Sequence, residues 1–509
     1  MNRLVAFWTH SLNRNEKIIL ISVFTILLLR LASVGVMGLM PQDAYYFYVY
    51  GEHLSLSYFD HPPLIGYLLR LSTELFGKTV FAIKLADTLV TALTVLSFYK
   101  LSLYFLSPHK ARRTLLLLFS TFMVTILSLV STPDVPLMLF WSLSLIMLYN
   151  AVFLQKKIYW LWAGIMMGLA FDSKYTGALL PAGLIVFLVL SRQHRKKLLS
   201  AGLWLSMLIF LITILPVVIW NVQNHFASFR FQSAERMDAA NGLKFTPLNF
   251  AGLIGHQAAI LTPILFFALV FFLFRATRKY IIRGRKIPPE TLFLLSFFVP
   301  IFIGFIAVSF IYWVKLNWLM PAYITGIILA GKFFSEKWVK YQVIFSLIIH
   351  AALAVEIFFY PVQVKSDDTW FGWKTLAKKV EQIHHKNPAA FVFSADENKT
   401  SSILNFYSDS MVYSQNIIGE NALHFDYIGT NLNTLQGKDA YFINSIPNFK
   451  TETRENKFPD HMKPYFDSIT EMDPILIKNH KRTMRKFLVF YCTNYHPKKI
   501  HVYTTRVEN

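Results

Sequence analysis

Apolar residues in this chain fall in long, nearly uninterrupted runs, not in the alternating or three-to-four-residue patterns of a water-soluble fold. Crossing a hydrocarbon core takes roughly 17–25 such residues as a helix. Eleven runs qualify, near 18–40, 79–106, 114–131, 135–154, 158–172, 177–191, 198–220, 250–274, 291–313, 317–334 and 341–361, with 12 or 13 as alternative counts. The runs at 158–172 and 177–191 are short for a full crossing, so tilted or broken helices are expected there. The first run is read as a retained span, because it exceeds the roughly 7–15-residue apolar core of a signal sequence and no clear small-x-small cleavage site follows it.

After residue 361 the pattern changes. Short alternating segments such as Ala389–Phe393 and Ala440–Asn444 predict strands, and the spacing around Trp373–His385 predicts an amphipathic helix. The expected architecture is therefore a polytopic α-helical membrane region, 1–361, followed by a small water-facing α/β domain, 362–509. Composition agrees: of 509 residues 54% are hydrophobic and only 16% charged, against about 25% charged in ordinary soluble proteins. The single cysteine, Cys492, excludes an intrachain disulfide framework and a thiolate cluster.

A formal charge of +21 suggests nucleic acid in a soluble protein, but its placement gives another meaning. With the N-terminus cytoplasmic, the segments on that side hold 21 Lys and Arg, whereas the short loops on the opposite side hold 5. That asymmetry is the retention of basic residues on the cytoplasmic face. It leaves nucleic acid without support as a partner and places residues 362–509 outside.

The outside loops carry the candidate chemistry. The first contains Asp43, Glu52, Asp60 and His61, with no Lys or Arg before Arg70. Its tyrosines, Tyr45, Tyr46, Tyr48 and Tyr50, are expected to anchor at the membrane boundary, and Ala44–Leu54 and Pro63–Leu75 to lie there as interfacial helices. One reading is an aromatic anchor with solvated acids; the other is a carboxylate acting as general base, with His61 donating to an anion. Asp134, in the turn Ser131–Asp134, is either a helix cap or a site residue. Lys174 either pairs locally with Asp172 or, like Tyr175 beside it, meets a phosphate. Arg230 lies in a long loop at 221–249, in an amphipathic segment or as a planar grip on phosphate oxygens. Within the spans, Lys84 and Asp87 share a helix face, so mutual pairing is expected. Asp43 and Asp134 are also a pair that a divalent cation can share, though without an evident third ligand. No nucleotide-binding or zinc-protease motif occurs.

The runs DAYYFYVYGEHLSLSYFDHPPLIGYLL (43–69), STPDVPL (131–137), DSKYTG (172–177), PVVIWNVQNHFASFRFQ (216–232) and KLNWLMPAY (315–323) resemble, in order, bacterial members of glycosyltransferase family 39. These are relatives of protein O-mannosyltransferases and lipid A aminoarabinose transferases. The resemblance implies a GT-C membrane fold in the bacterial inner membrane, with a polyprenyl-phosphate sugar as donor and a lipid, glycan or protein acceptor on the outer face. It implies Asp43 as the catalytic carboxylate, Asp134 as a second acid, and Asp60 and His61 near the donor phosphate. Where the aminoarabinose branch has a lysine in this loop, this chain has His61. A lipid or polysaccharide transporter is the competing reading.

Overall fold

The computed structural model describes residues 14–235, 245–455 and 460–498. All eleven apolar runs are helical. Among the described residues, five helices are long and apolar enough to cross a membrane alone: Lys17–Met37, Val80–Phe105, Asp134–Val152, Pro289–Val308 and Glu336–Phe359. At about 1.5 Å per residue, the 26 residues of Val80–Phe105 reach nearly 40 Å. Counting each bent pair as one span raises the number to eight. Tyr175–Leu190 and Met320–Gly331 are shorter apolar helices.

The bends have local causes. Pro108–Phe119 meets Phe122–Leu129 at 61°, Ala201–Thr213 meets Leu215–Gln223 at 46°, and Pro247–Leu261 meets Pro263–Ile282 at 114°. At the sharpest, Thr262 has a positive φ of 67° and the next residue is a proline, which cannot continue the hydrogen-bond ladder. The run at 250–274, expected as one straight crossing, is therefore folded sharply at its middle. Buried Gln342 ties two bends together: it accepts from Thr262 Oγ1 (2.6 Å) and donates to Leu261 O (3.2 Å) and Ser120 Oγ (3.1 Å).

The loop after the first span departs from expectation. Pro41–Tyr45 is one α-helical turn, Tyr46–Glu52 continues it with π-helical bonding, and Leu64–Phe76 is a separate helix. Leu64–Phe76 leaves Leu71, Leu75 and Phe76 exposed along one side, as an interfacial helix does. The tyrosine helix is instead enclosed, with Tyr45, Tyr46, Tyr48 and Tyr50 all buried. It is not a headgroup anchor, because residues after 361 cover it. The two helices approach so closely at Gly66 that a Cβ there would lie 2.5 Å from Tyr50 Cβ.

The C-terminal region is an α/β unit, as its pattern predicts. Strands β1 (Phe391–Ser394), β2 (Val412–Tyr413), β3 (Ala440–Ser445), β4 (Phe466–Glu471), β5 (Ile475–Asn479) and β6 (Arg482–Tyr495) form one sheet in the order β2-β1-β3-β6-β4, with β5 also paired to β6. β1 is parallel to β2 and β3, and β6 runs antiparallel to β3, β4 and β5. Helix Trp373–His384 lays Trp373, Leu376, Ala377 and Val380 inward at the expected spacing. The core on that side is shared: Tyr45, Tyr50, Tyr58 and Leu69 of the first loop pack with Trp373, Phe406, Phe425 and Phe487.

Candidate functional site

Asp43 is fully buried, and three donors reach its carboxylate. Oδ1 accepts from the Ser131 amide (2.7 Å), and Oδ2 from the Met40 amide (2.7 Å) and Lys84 Nζ (2.5 Å). Lys84 also donates to Leu129 O (2.5 Å). The expected Lys84–Asp87 pair is thus corrected: Lys84 serves Asp43, and Asp87 accepts from Ser131 Oγ (2.6 Å). Ser131 bridges the two acids, with its amide on one and its hydroxyl on the other.

At the other end of the Ser131–Asp134 turn, Asp134 opens helix Asp134–Val152 without capping it. Its carboxylate takes Lys174 Nζ at 2.8 and 3.1 Å and Asn317 Nδ2 at 2.5 Å. This corrects two sequence alternatives, the Asp134 cap and the local Asp172–Lys174 bridge. Lys174 is drawn across to Asp134 because its helix ends there and the chain turns extended. Three turns separate in sequence thus meet at this one carboxylate. Asp43 and Asp134, weighed as sharers of a divalent cation, are each matched by a lysine. Among the described residues no cluster of three or more His, Cys, Asp or Glu is placed to hold a metal.

Asp60 is held from several sides. Its Oδ1 accepts from Tyr45 Oη (2.7 Å) and Tyr50 Oη (2.6 Å), and its backbone carbonyl accepts from Gln232 Nε2. Burial, and after it the nearby Asp60 charge, push both phenols well above the usual tyrosine value, so they remain donors. His61, half-buried, has its ring 6.2 Å from that of Tyr46. Tyr175 meets Ser228 through a 2.5 Å hydroxyl contact, and Phe231 packs on Phe59 at 4.6 Å. Arg230 lies between Ser228 and Phe231 in sequence and is half-buried, with no ion-pair partner among the described residues. His256 packs its ring against Trp313, and Gln257 makes the expected interhelical bonds, to Leu316 O (3.1 Å) and from Tyr323 Oη (2.7 Å).

The C-terminal region adds a residue that patterning did not reveal. His424 Nδ1 accepts from the amide of Phe59 (2.9 Å), immediately before Asp60. Its ring lies edge-on to Tyr58 (4.7 Å) and stacks with Tyr427 (5.4 Å), which stacks in turn on Phe59 (5.5 Å). Burial pushes the imidazole down to about 3, so it stays a neutral acceptor. Lone histidines in a soluble segment carry no periodic signal, and only proximity in space exposes this one.

Known proteins share this arrangement at the level of fold. The crystal structure of ArnT from Cupriavidus metallidurans bound to undecaprenyl phosphate superposes with a TM-score of 0.57 at 14% identity, covering 94% of this chain and 98% of that one. Its apo form gives 0.56. The chain therefore has the fold of the GT-C membrane glycosyltransferases.

Residues 60–220 match the dolichyl-phosphate-mannose-protein mannosyltransferase family, a segment that includes Asp60, His61, Asp134, Lys174 and Tyr175 but begins after Asp43. Among characterised proteins, lipid A galacturonosyltransferase RgtD of Rhizobium johnstonii is 25% identical over 306 residues, 58% of this chain. The alignment takes in 61% of that relative's length. Together these findings bear out the resemblance read from the sequence to the GT-C transferases of the mannosyltransferase and lipid A-modifying group.

Proposed function

We propose that the chain is an integral-membrane glycosyltransferase that moves a sugar from a polyprenyl-phosphate donor to a lipid, glycan or protein acceptor at the extracytoplasmic face. The observation that carries this reading is a linked set of buried polar contacts on a GT-C bundle: the Ser131–Asp134 turn meets Asp43 through the Ser131 amide and Lys174 through Asp134, and Tyr45, two residues after Asp43, donates to Asp60 beside His61. Residues 1–361 form the membrane transferase and 362–509 the outside cap of its site.

In this reading the acceptor hydroxyl attacks the anomeric carbon as the bond to the phosphate oxygen breaks. The hydroxyl proton passes to Asp43, and polyprenyl phosphate leaves, with inversion from the single displacement. Lys84 is the resting partner of Asp43 and yields one acceptor position as the hydroxyl arrives. Lys174 and Asn317 fix Asp134 against the acceptor, while Tyr175 steadies the wall. His61 and Arg230 face the departing phosphate, where cationic donors lower the cost of developing charge. No nucleotide is needed, because the lipid phosphate is the leaving group.

The test is turnover by purified protein given undecaprenyl-phosphate-linked galacturonic acid, mannose or aminoarabinose, with lipid A as the first acceptor and mass spectrometry as the readout. Transfer of any of these sugars supports the reading. Absence of transfer across donors and native membrane acceptors, with the lipids still bound, favours a transporter instead.

A further inference from the structure

The acids at the outside end of the bundle differ in one respect. Asp43 receives three donors, Asp134 is gripped by Lys174 and Asn317, Asp60 by two phenols, and Asp87 by Ser131. Glu52 pairs with Lys78 at 3.1 Å. Asp172 has none of this. It is 8% exposed, and among the described residues it accepts no hydrogen bond and has no ion-pair partner; Oδ1 is wholly out of solvent. The basic residue nearest in sequence, Lys174, is committed to Asp134. Tyr67, whose phenol feels the Asp172 charge, gives its proton to Ser55 O at 2.6 Å.

A carboxylate enclosed without donors is unfavourable, and native proteins keep such groups rarely and for a reason. Its surroundings narrow the reason. Asp172 lies two residues from Lys174 and three from Tyr175, the side chains that join the Asp134 turn to the 221–235 segment. A ligand here must bring hydrogen-bond donors without bringing more negative charge, since the anionic phosphate has His61 and Arg230 to face. Sugar hydroxyls meet both conditions. We infer that Asp172 is a substrate-binding carboxylate that accepts hydrogen bonds from hydroxyls of a pyranose bound beside the Lys174–Tyr175 turn. This rests on the transferase reading and adds a specificity residue to it.

The experiment compares wild type, Asp172→Asn and Asp172→Leu in nanodiscs. Binding is measured for undecaprenyl phosphate, the same lipid carrying a sugar, and lipid A, together with melting temperature and, where turnover occurs, KM for donor and acceptor separately. Expected for Asp172→Leu is a melting temperature no lower than wild type, unchanged affinity for bare undecaprenyl phosphate, and at least a tenfold loss for one sugar-bearing ligand. Asp172→Asn, which keeps one acceptor oxygen, should fall between. Loss confined to the sugar-linked lipid assigns the hydroxyl to the donor, and loss confined to lipid A to the acceptor. Unchanged affinity for both overturns the inference, as does a lower melting temperature in both variants, which would give Asp172 a partner within the protein. A wild type that binds but transfers nothing defeats the transferase reading alone, because the binding comparison still reports on Asp172.

Discussion

At the residue scale, Asp43 and Lys84 are a buried ion pair whose members cannot be removed singly without consequence. Replacing Asp43 by Asn leaves the Lys84 charge enclosed, a loss on the order of 3–5 kcal/mol for such pairs. Asp43→Asn is therefore expected to lower both melting temperature and turnover, the latter by about 10²–10⁴-fold if the side chain is the general base. The double variant Asp43→Asn with Lys84→Met separates the effects: stability should recover while turnover stays lost. Recovery of turnover in the double variant would show that Asp43 acts only through its charge on Lys84. His61→Lys is informative in the other direction, since a phosphate contact predicts retained activity and a packing role predicts loss.

At the element scale, the tyrosine helix and the 423–427 segment act as one piece. The His424 imidazole has a depressed folded-state value, near 3 against an ordinary 6.5, so between those limits the unfolded chain binds the extra proton and the folded chain does not. Its contribution to stability is complete above about pH 6.5 and is progressively lost as pH falls toward 3. Thermal melts of wild type against His424→Asn, which keeps an acceptor near the Nδ1 position, should therefore converge or cross as pH drops from 7 to 5. His424→Leu, which removes the acceptor for the Phe59 amide, should melt lower than His424→Asn at pH 7. Equal melting of the two would mean that ring packing, not the hydrogen bond, holds the Asp60 segment.

At the scale of the whole molecule, the sequence patterns were a good guide to what lies in lipid and a partial guide to what lies at its edge. Eleven apolar runs are helical because long uninterrupted apolarity has few other outcomes in a membrane. The α/β region was legible from period-two strands and one amphipathic helix. Asp43, Asp134 and Lys174 stood out as charges in a place where charge is costly. How they pair did not, because Lys84, Ser131 and Asn317 are brought to them by helix packing across dozens to hundreds of residues. The tyrosines misled for a related reason: the same amphipathic ring suits a membrane boundary and a buried phenol with a carboxylate to bind. The orientation expected from the Lys and Arg asymmetry is tested by an alkaline phosphatase fusion after Asn509, which should be active; an inactive fusion would reverse the topology.

The bond from Phe59 to His424 spans 365 residues, and that separation has a temporal meaning. Chains are synthesised at roughly 5–20 residues per second, so the loop after the first span waits about 20–70 s for the segment that closes over it. For that interval the tyrosine helix lacks its roof. The cover over the candidate site thus emerges hundreds of residues after the segment it covers, so a product truncated before residue 423 carries every site residue proposed above and lacks the His424 contact beside Asp60.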